Sequence, residues 1–204
     1  IGTDGTIAAV ALEDGYGDEF GIIKGEEAYL NINTIIKNID KRFYVDATNN
    51  LVMFTDATKT YKTKIGGKTI NETENTDYVI SFMDGKNCYV NVKFVKKYVD
   101  FDYKVVKAEG KSPARIVLKY TSGEKNQMTV KSNIEMRTKA DYQNLIVTTL
   151  KKNTKVTVLE ESGDWTKVGT DDGFMGYVPA KKLKDKETKK TEFKSDADTY
   201  THVL

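Results

Sequence analysis

Gly163-Asp164-Trp165-Thr166-Lys167-Val168-Gly169-Thr170-Asp171-Asp172-Gly173-Phe174-Met175-Gly176-Tyr177-Val178 sets two short apolar runs on either side of an Asp-Gly step. Asp-Gly between such runs is a strong hairpin signal, because the turn that matches strand twist needs residues that tolerate positive φ. Working outward, Val156-Thr157-Val158-Leu159 alternates with polar neighbours, and Met128-Thr129-Val130 and Ile134 to Met136 precede it. Alternation with period two reads as strands half-buried on one face. From Lys181 to Lys194 there are seven lysines and few apolar residues, a composition expected of an exposed linker.

Upstream, the chain repeats itself. Ala28-Tyr29-Leu30-Asn31-Ile32-Asn33-Thr34-Ile35-Ile36-Lys37-Asn38-Ile39-Asp40 aligns without a gap on Cys88-Tyr89-Val90-Asn91-Val92-Lys93-Phe94-Val95-Lys96-Lys97-Tyr98-Val99-Asp100, at an offset of 60. Tyr29/Tyr89, Asn31/Asn91, Lys37/Lys97 and Asp40/Asp100 are identical, and four more positions keep apolar character. The unit reads as a strand and then a short helix. Residues 28, 30 and 32, like 88, 90 and 92, share one strand face and are expected to face a core. That places Cys88 inside as a small core hydrophobe. Asn33 is the expected cap of the first helix. A hairpin follows each helix: Arg42 to Val45 with Leu51 to Phe54 across Asp46-Ala47-Thr48-Asn49-Asn50, then Tyr103 to Val106 with Arg115 to Leu118. The repeats thus occupy residues 28–54 and 88–118. Asp40 and Asp100 are expected to end the repeat's helix and start its next strand.

The fold class that follows is mainly β with short helices (α+β). A tandem strand-helix-hairpin domain spans 1–126, a compact run of strands 127–184, and a linker 185–204.

Composition narrows the chemistry. Hydrophobic residues make up 39% and charged residues 30% of 204 residues, and net charge is +2. This is an ordinary balance with no strong field of one sign. Only Arg42, Arg115 and Arg137 are arginines, so the bidentate phosphate and guanine reading that arginine supplies is scarce, and nucleic-acid recognition is not expected. One cysteine excludes an internal disulfide. The one histidine, His202, leaves a catalytic triad or a histidine-built metal site nothing to use. No cofactor and no metal are expected. No apolar run reaches the roughly 18 residues of a membrane helix. Ile1 is not a natural start, so the chain reads as a piece of a longer protein.

Asn133-Ile134-Glu135-Met136-Arg137, Leu150 to Leu159, Gly163-Asp164-Trp165-Thr166-Lys167-Val168, Asp172-Gly173-Phe174-Met175-Gly176-Tyr177-Val178 and Leu183, in that order and spacing, resemble a bacterial SH3 domain over about Met128 to Lys184. The resemblance implies a small five- to seven-stranded barrel. Many members bind cell-wall peptides or glycans, and others only pack on neighbouring domains. The repeat, from Glu27-Ala28-Tyr29-Leu30 through Phe43-Tyr44-Val45 and again from Cys88 to Tyr103, is similar to the tandem module named after the copper amine oxidase N-terminal domain. Copper does not carry over, since no histidine lies there and Cys88 lacks partners. The two modules followed by Tyr200-Thr201-His202-Val203 resemble the upstream half of certain secreted Gram-positive family-18 glycoside hydrolases, chitinase-like enzymes. The implied catalytic domain lies C-terminal in the parent chain. Asp196-Ala197-Asp198 imitates part of the catalytic motif but lacks its glutamate, so this chain itself is not expected to be an enzyme.

The candidate ligand-binding residues are aromatic. Trp165, helped by Tyr177 and Tyr142, has the flat surface that stacks on a sugar or peptide plane. The structural alternative has Trp165 covering the core beside Val168 and Phe174. Tyr29 and Tyr89, opposite the buried face of their strands, are either a repeated surface pair or, the favoured reading, packed on a second layer. The expected role is a non-catalytic region that holds an extracellular or cell-surface hydrolase on peptidoglycan or a chitin-like glycan. The alternative is a spacer or interdomain clamp with no ligand of its own.

Overall fold

The computed structural model describes residues 5–195. The Asp196-Ala197-Asp198 and Tyr200 to Val203 segments lie outside the described residues. The chain divides into two compact units, the second of which takes Ala11–Tyr16 together with Val117–Phe193. Among the described residues no helix is long and apolar enough to cross a membrane.

In chain order the first part of the molecule runs β1 (Thr6–Ala11), β2 (Gly21–Lys24), β3 (Glu27–Asn31), α1 (Ile32–Thr34) with a π-helical turn Ile35–Ile39, β4 (Phe43–Asp46), β5 (Leu51–Thr55), β6 (Thr60–Lys64), β7 (Thr69–Ile70), β8 (Glu74–Asn75), β9 (Ser81–Asp84), β10 (Asn87–Asn91), α2 (Val92–Lys96), β11 (Asp102–Val106) and β12 (Arg115–Lys119). One seven-stranded sheet has the order β11-β12-β1-β2-β3-β10-β9, and a five-stranded sheet has the order β4-β5-β6-β7-β8.

The repeat is visible as geometry. β3 and β10 pair antiparallel with Leu30 opposite Val90, Tyr29 opposite Asn91 and Asn31 opposite Tyr89, so the two copies meet about a local two-fold. Ala28, Leu30, Ile32, Cys88, Val90 and Val92 are all buried, as strand alternation requires. Burial also pushes the Cys88 thiol up to about 11, which keeps it protonated and unreactive. Each strand hands over to its helix through an asparagine. The Asn31 Oδ1 accepts from the Asn33 amide and the Asn91 Oδ1 from the Lys93 amide, both at 2.9 Å. The cap is therefore Asn31, not Asn33, which is exposed. The repeated identity at 31/91 was the signal for it. The copies part company after the helix: β4-β5 joins the five-stranded sheet and β11-β12 the seven-stranded one.

The Asn91 side chain also donates to Glu27 Oε2 at 2.9 Å and is fully buried. Removing a cap together with a donor to the partly exposed Glu27 carboxylate costs about 2 kcal/mol. Asn91→Ala is expected to lower the urea midpoint accordingly, with Asn33→Ala nearly neutral as the control.

Tyr29 and Tyr89 do not form a surface pair. Both are buried and pack with Ile22 and Phe82, with Tyr29 edge-on to Phe82 at 4.8 Å and Tyr89 stacked on it at 5.5 Å. The Tyr29 hydroxyl donates to the Val79 carbonyl at 2.8 Å. Ile22 lies directly opposite Tyr29 and Phe82 opposite Tyr89 in the same sheet, so these side chains bury one another on a face where alternation alone would lead to solvent.

The second unit adds β13 (Gly123–Val130), β14 (Ile134–Arg137), β15 (Ile146–Leu150), β16 (Lys155–Ser162), β17 (Trp165–Gly169), β18 (Met175–Pro179) and β19 (Leu183–Thr191). Their order is β15-β14-β18-β17-β16-β13-β19. The expected hairpin is there: β17 and β18 pair in full, from Trp165 opposite Pro179 to Gly169 opposite Met175. One core cluster draws Leu150 from one edge strand and Leu183 from the other, with Val130, Met136, Val156, Val168 and Val178 between. The sheet therefore curls around its inner face. The expected closed barrel is nevertheless not formed, because among the described residues no pairing joins β15 to β19. Residues 183–191 instead pair along β13 as far as Gly123 opposite Thr191. This also corrects the linker reading for these residues. Their backbones complete a ladder while the side chains from Asp185 onward stay exposed, and lysines on an edge strand discourage further pairing.

Candidate functional site

Strand alternation in the β17-β18 hairpin sorts its side chains. Thr166, Val168 and Val178 point into the core and are buried, so Trp165, Lys167 and Tyr177 point out. Trp165 and Val168 are three residues apart and must lie on opposite faces. Trp165 therefore does not cover the core beside Val168. It is half-buried against Tyr142, whose ring meets it edge-on at 4.8 Å and 61°.

Tyr142 comes from the loop between β14 and β15 and is 60% exposed. Arg137, the last residue of β14, holds that loop. Its Nη1 donates to the Asn144 carbonyl at 2.8 Å, its Nη2 pairs with Glu135 at 2.6 Å, and its guanidinium lies 5.8 Å from the Tyr142 ring centroid. Across the strands Arg137 is opposite Tyr177, which is opposite Lys167. The outer face thus carries Tyr142 on Trp165 at one end and a row Arg137-Tyr177-Lys167 beside it. Leu145 at the end of that loop, 79% exposed, and Ile146, the first residue of β15 and opposite Arg137, 50% exposed, add further apolar surface. Three of the five sequence candidates are gathered here. Tyr29 and Tyr89 belong to the other unit and are buried.

The far end of this face is covered by the unit's own chain. The strap Ala11–Tyr16 crosses it. The Tyr16 hydroxyl donates to the Gly173 carbonyl and accepts from the Met175 amide, each at 3.1 Å. The Lys167 ammonium donates to the Asp14 carbonyl at 2.7 Å. Glu13 Oε1 accepts from the Tyr120 and Thr121 amides, both at 2.6 Å, and Oε2 faces Lys125 at 3.4 Å. Nothing local in Glu13-Asp14-Gly15-Tyr16 announces this role, because the partners are more than a hundred residues away. Arg137 and Lys167 lie in fold-bearing stretches of the sequence, and only the strand register sets them beside the aromatic rings.

Burial opposes ionisation of Glu13, but the two amides and Lys125 outweigh it and hold its carboxyl below the usual 4.5. A depressed folded value gives a stabilisation that is complete above the unfolded value and fades as pH falls through the folded one. The second unit's stability is therefore expected to drop as the solution is acidified below about pH 4.5, where unfolded chains begin to protonate. Glu13→Gln is expected to remove part of that slope while lowering stability at pH 7 by about 1–3 kcal/mol. Thermal unfolding of both proteins across pH 3–7 reads the difference.

The chemistry this surface offers is binding: aromatic faces, guanidinium, ammonium and unpaired edge backbone. Among the described residues no group of three His, Cys, Asp or Glu side chains gathers as metal ligands would. Residues 132–184 match the protein-family model described as bacterial SH3 domain. No curated protein and no solved structure matches the chain at a significant level.

Proposed function

We propose that the second unit is a cell-wall-binding module whose ligand face is Trp165, Tyr142 and Tyr177 with Arg137 as the residue that positions Tyr142. The observation that carries the proposal is the outward, solvent-open placement of Tyr142 on Trp165, on the face opposite the core. Bacterial SH3 domains commonly bind cell-wall components, and an aromatic platform flanked by cations suits peptide and sugar planes that carry acidic groups. The wider setting we propose is extracellular or at the cell surface, as the targeting region of a longer secreted glycoside hydrolase. That part rests on the order of the two modules alone.

Co-sedimentation with insoluble peptidoglycan and with chitin tests the reading. The chain is expected to enrich on peptidoglycan over a control protein of similar charge, and enrichment on neither polymer would contradict it. A second reading, a spacer or interdomain clamp with no ligand of its own, draws support from the outer face being closed at one end by the unit's own segment Ala11–Tyr16. The clamp predicts no polymer binding and a large loss of stability when Tyr16 is replaced by alanine. The wall-binding module predicts retention on the wall whatever the strap contributes to stability.

A further inference from the structure

The second unit also contains a cleft of about 280 Å³, and every residue lining it belongs to that unit. Leu12, Leu159 and Met175 give it an apolar side, and the β13-β19 ribbon gives it Lys125, Gln127 and Lys189. Lys125 and Lys189 are directly opposite across the ribbon. Like charges in that position repel, so the arrangement needs a counter-charge. Lys125 has Glu13 at 3.4 Å. Lys189 has no carboxylate within ion-pair distance among the described residues. The other acid lining the cleft, Asp171, faces Lys119 at 3.7 Å. Glu187, opposite Gln127, does not line the cleft.

A second observation points the same way. Gln127, two residues from Lys125 on the same strand face, has a buried Oε1 with no hydrogen-bond partner. A buried acceptor left unmade costs about 1–3 kcal/mol; Oε1 has almost no surface of its own, so a donor in the cleft reaches it when the Gln127 side chain, which lines the cleft, turns outward. We infer that the cleft takes a small hydroxy-carboxylic acid of monosaccharide size, its carboxylate between Lys125 and Lys189 and a hydroxyl donating to Gln127 Oε1. The volume lies just below the range of about 300–1,000 Å³ for drug-sized ligands, which fits a single sugar acid. The apolar side formed by Leu159 and Met175 suits the carbon face of such a ring. This inference stands apart from the wall-binding reading, since it uses none of Trp165, Tyr142, Tyr177 or Arg137.

The test is a titration of the ¹⁵N-labelled full chain with glucuronate, and with glucose at the same ionic strength. Glucuronate is expected to shift the Gln127 side-chain amide and the amides of Lys125 and Lys189 saturably, and glucose to leave them unmoved. Lys189→Gln, at an exposed edge position, is expected to weaken glucuronate about tenfold, the effect of losing one charge-assisted contact. Gln127→Met, which keeps the length and removes the acceptor, is expected to weaken it several-fold. Tyr142→Ala is expected to bind glucuronate as the parent does. Equal shifts from glucose, parental affinity in both Lys189→Gln and Gln127→Met, or loss of binding in Tyr142→Ala would overturn the inference.

Discussion

Phe43→Ala is expected to destabilise the first unit by about 3–5 kcal/mol, the usual cost of a phenylalanine-sized hole in a core. Phe43 is 2% exposed. Its ring lies 4.8 Å from Phe54 across the β4-β5 pair and 6.2 Å from Phe94 of α2. It therefore joins the hairpin of one repeat to the helix of the other. Tyr98 stacks on Phe54 at 4.7 Å and extends the cluster, so no small side chain stands ready to fill the space. A loss of this size is a large share of the roughly 5–15 kcal/mol that holds a domain together. Urea unfolding followed by far-ultraviolet circular dichroism would show an early transition. The neighbouring Tyr44, 59% exposed on the other face, supplies the control. Tyr44→Ala is expected to change stability by about 0.5 kcal/mol or less.

Gly176→Val is expected to break the second unit rather than the first. Gly176 sits in β18 between β14 and β17, opposite Val168. A Cβ there would lie 2.6 Å from the Arg137 carbonyl oxygen and 2.7 Å from the Met136 Cγ. A flexible side chain yields to such an intrusion, but a backbone carbonyl moves only with its strand. β14 would separate from β18, and with it the Arg137-Tyr177 row. Overpacking costs about 1–3 kcal/mol and more where the backbone is held, and valine adds two methyl groups to the clash. Thermal unfolding is expected to show the loss together with disappearance of any wall binding. Gly169→Ala is the control, since its Cβ would find only ordinary contacts of 3.5 Å or more.

The hairpin around Asp172-Gly173 was legible because local turn chemistry and alternation agree there. The same alternation, applied to Trp165 and Val168, already puts them on opposite faces. Pairing them in one core overlooked an odd spacing. Tyr29 and Tyr89 misled in a different way. Alternation tells which residues share a face, but not how exposed that face is, and here Phe82 of β9 and Ile22 of β2, directly across from Tyr89 and Tyr29, pack against the rings. The lysines from Lys184 to Lys190 look like linker by composition. Their backbone groups, however, find partners on β13, and a ladder asks little of side chains that remain in water. The strap is the least legible feature. Glu13 and Tyr16 bind groups that come together only after the chain has folded. The cleft is hidden for the same reason, since Lys125 and Lys189 become neighbours only in register.

Trp165 is the one tryptophan in the chain, so its fluorescence reports on the proposed ligand face without labelling. Titration of the full chain with soluble muramidase-released peptidoglycan fragments is the most direct test of that face. A saturable shift of Trp165 emission is expected, lost in Tyr142→Ala at unchanged thermal stability, because Tyr142 is exposed and its removal costs the fold little. Emission that stays constant through the titration, or a response that survives in Tyr142→Ala, would contradict the assignment.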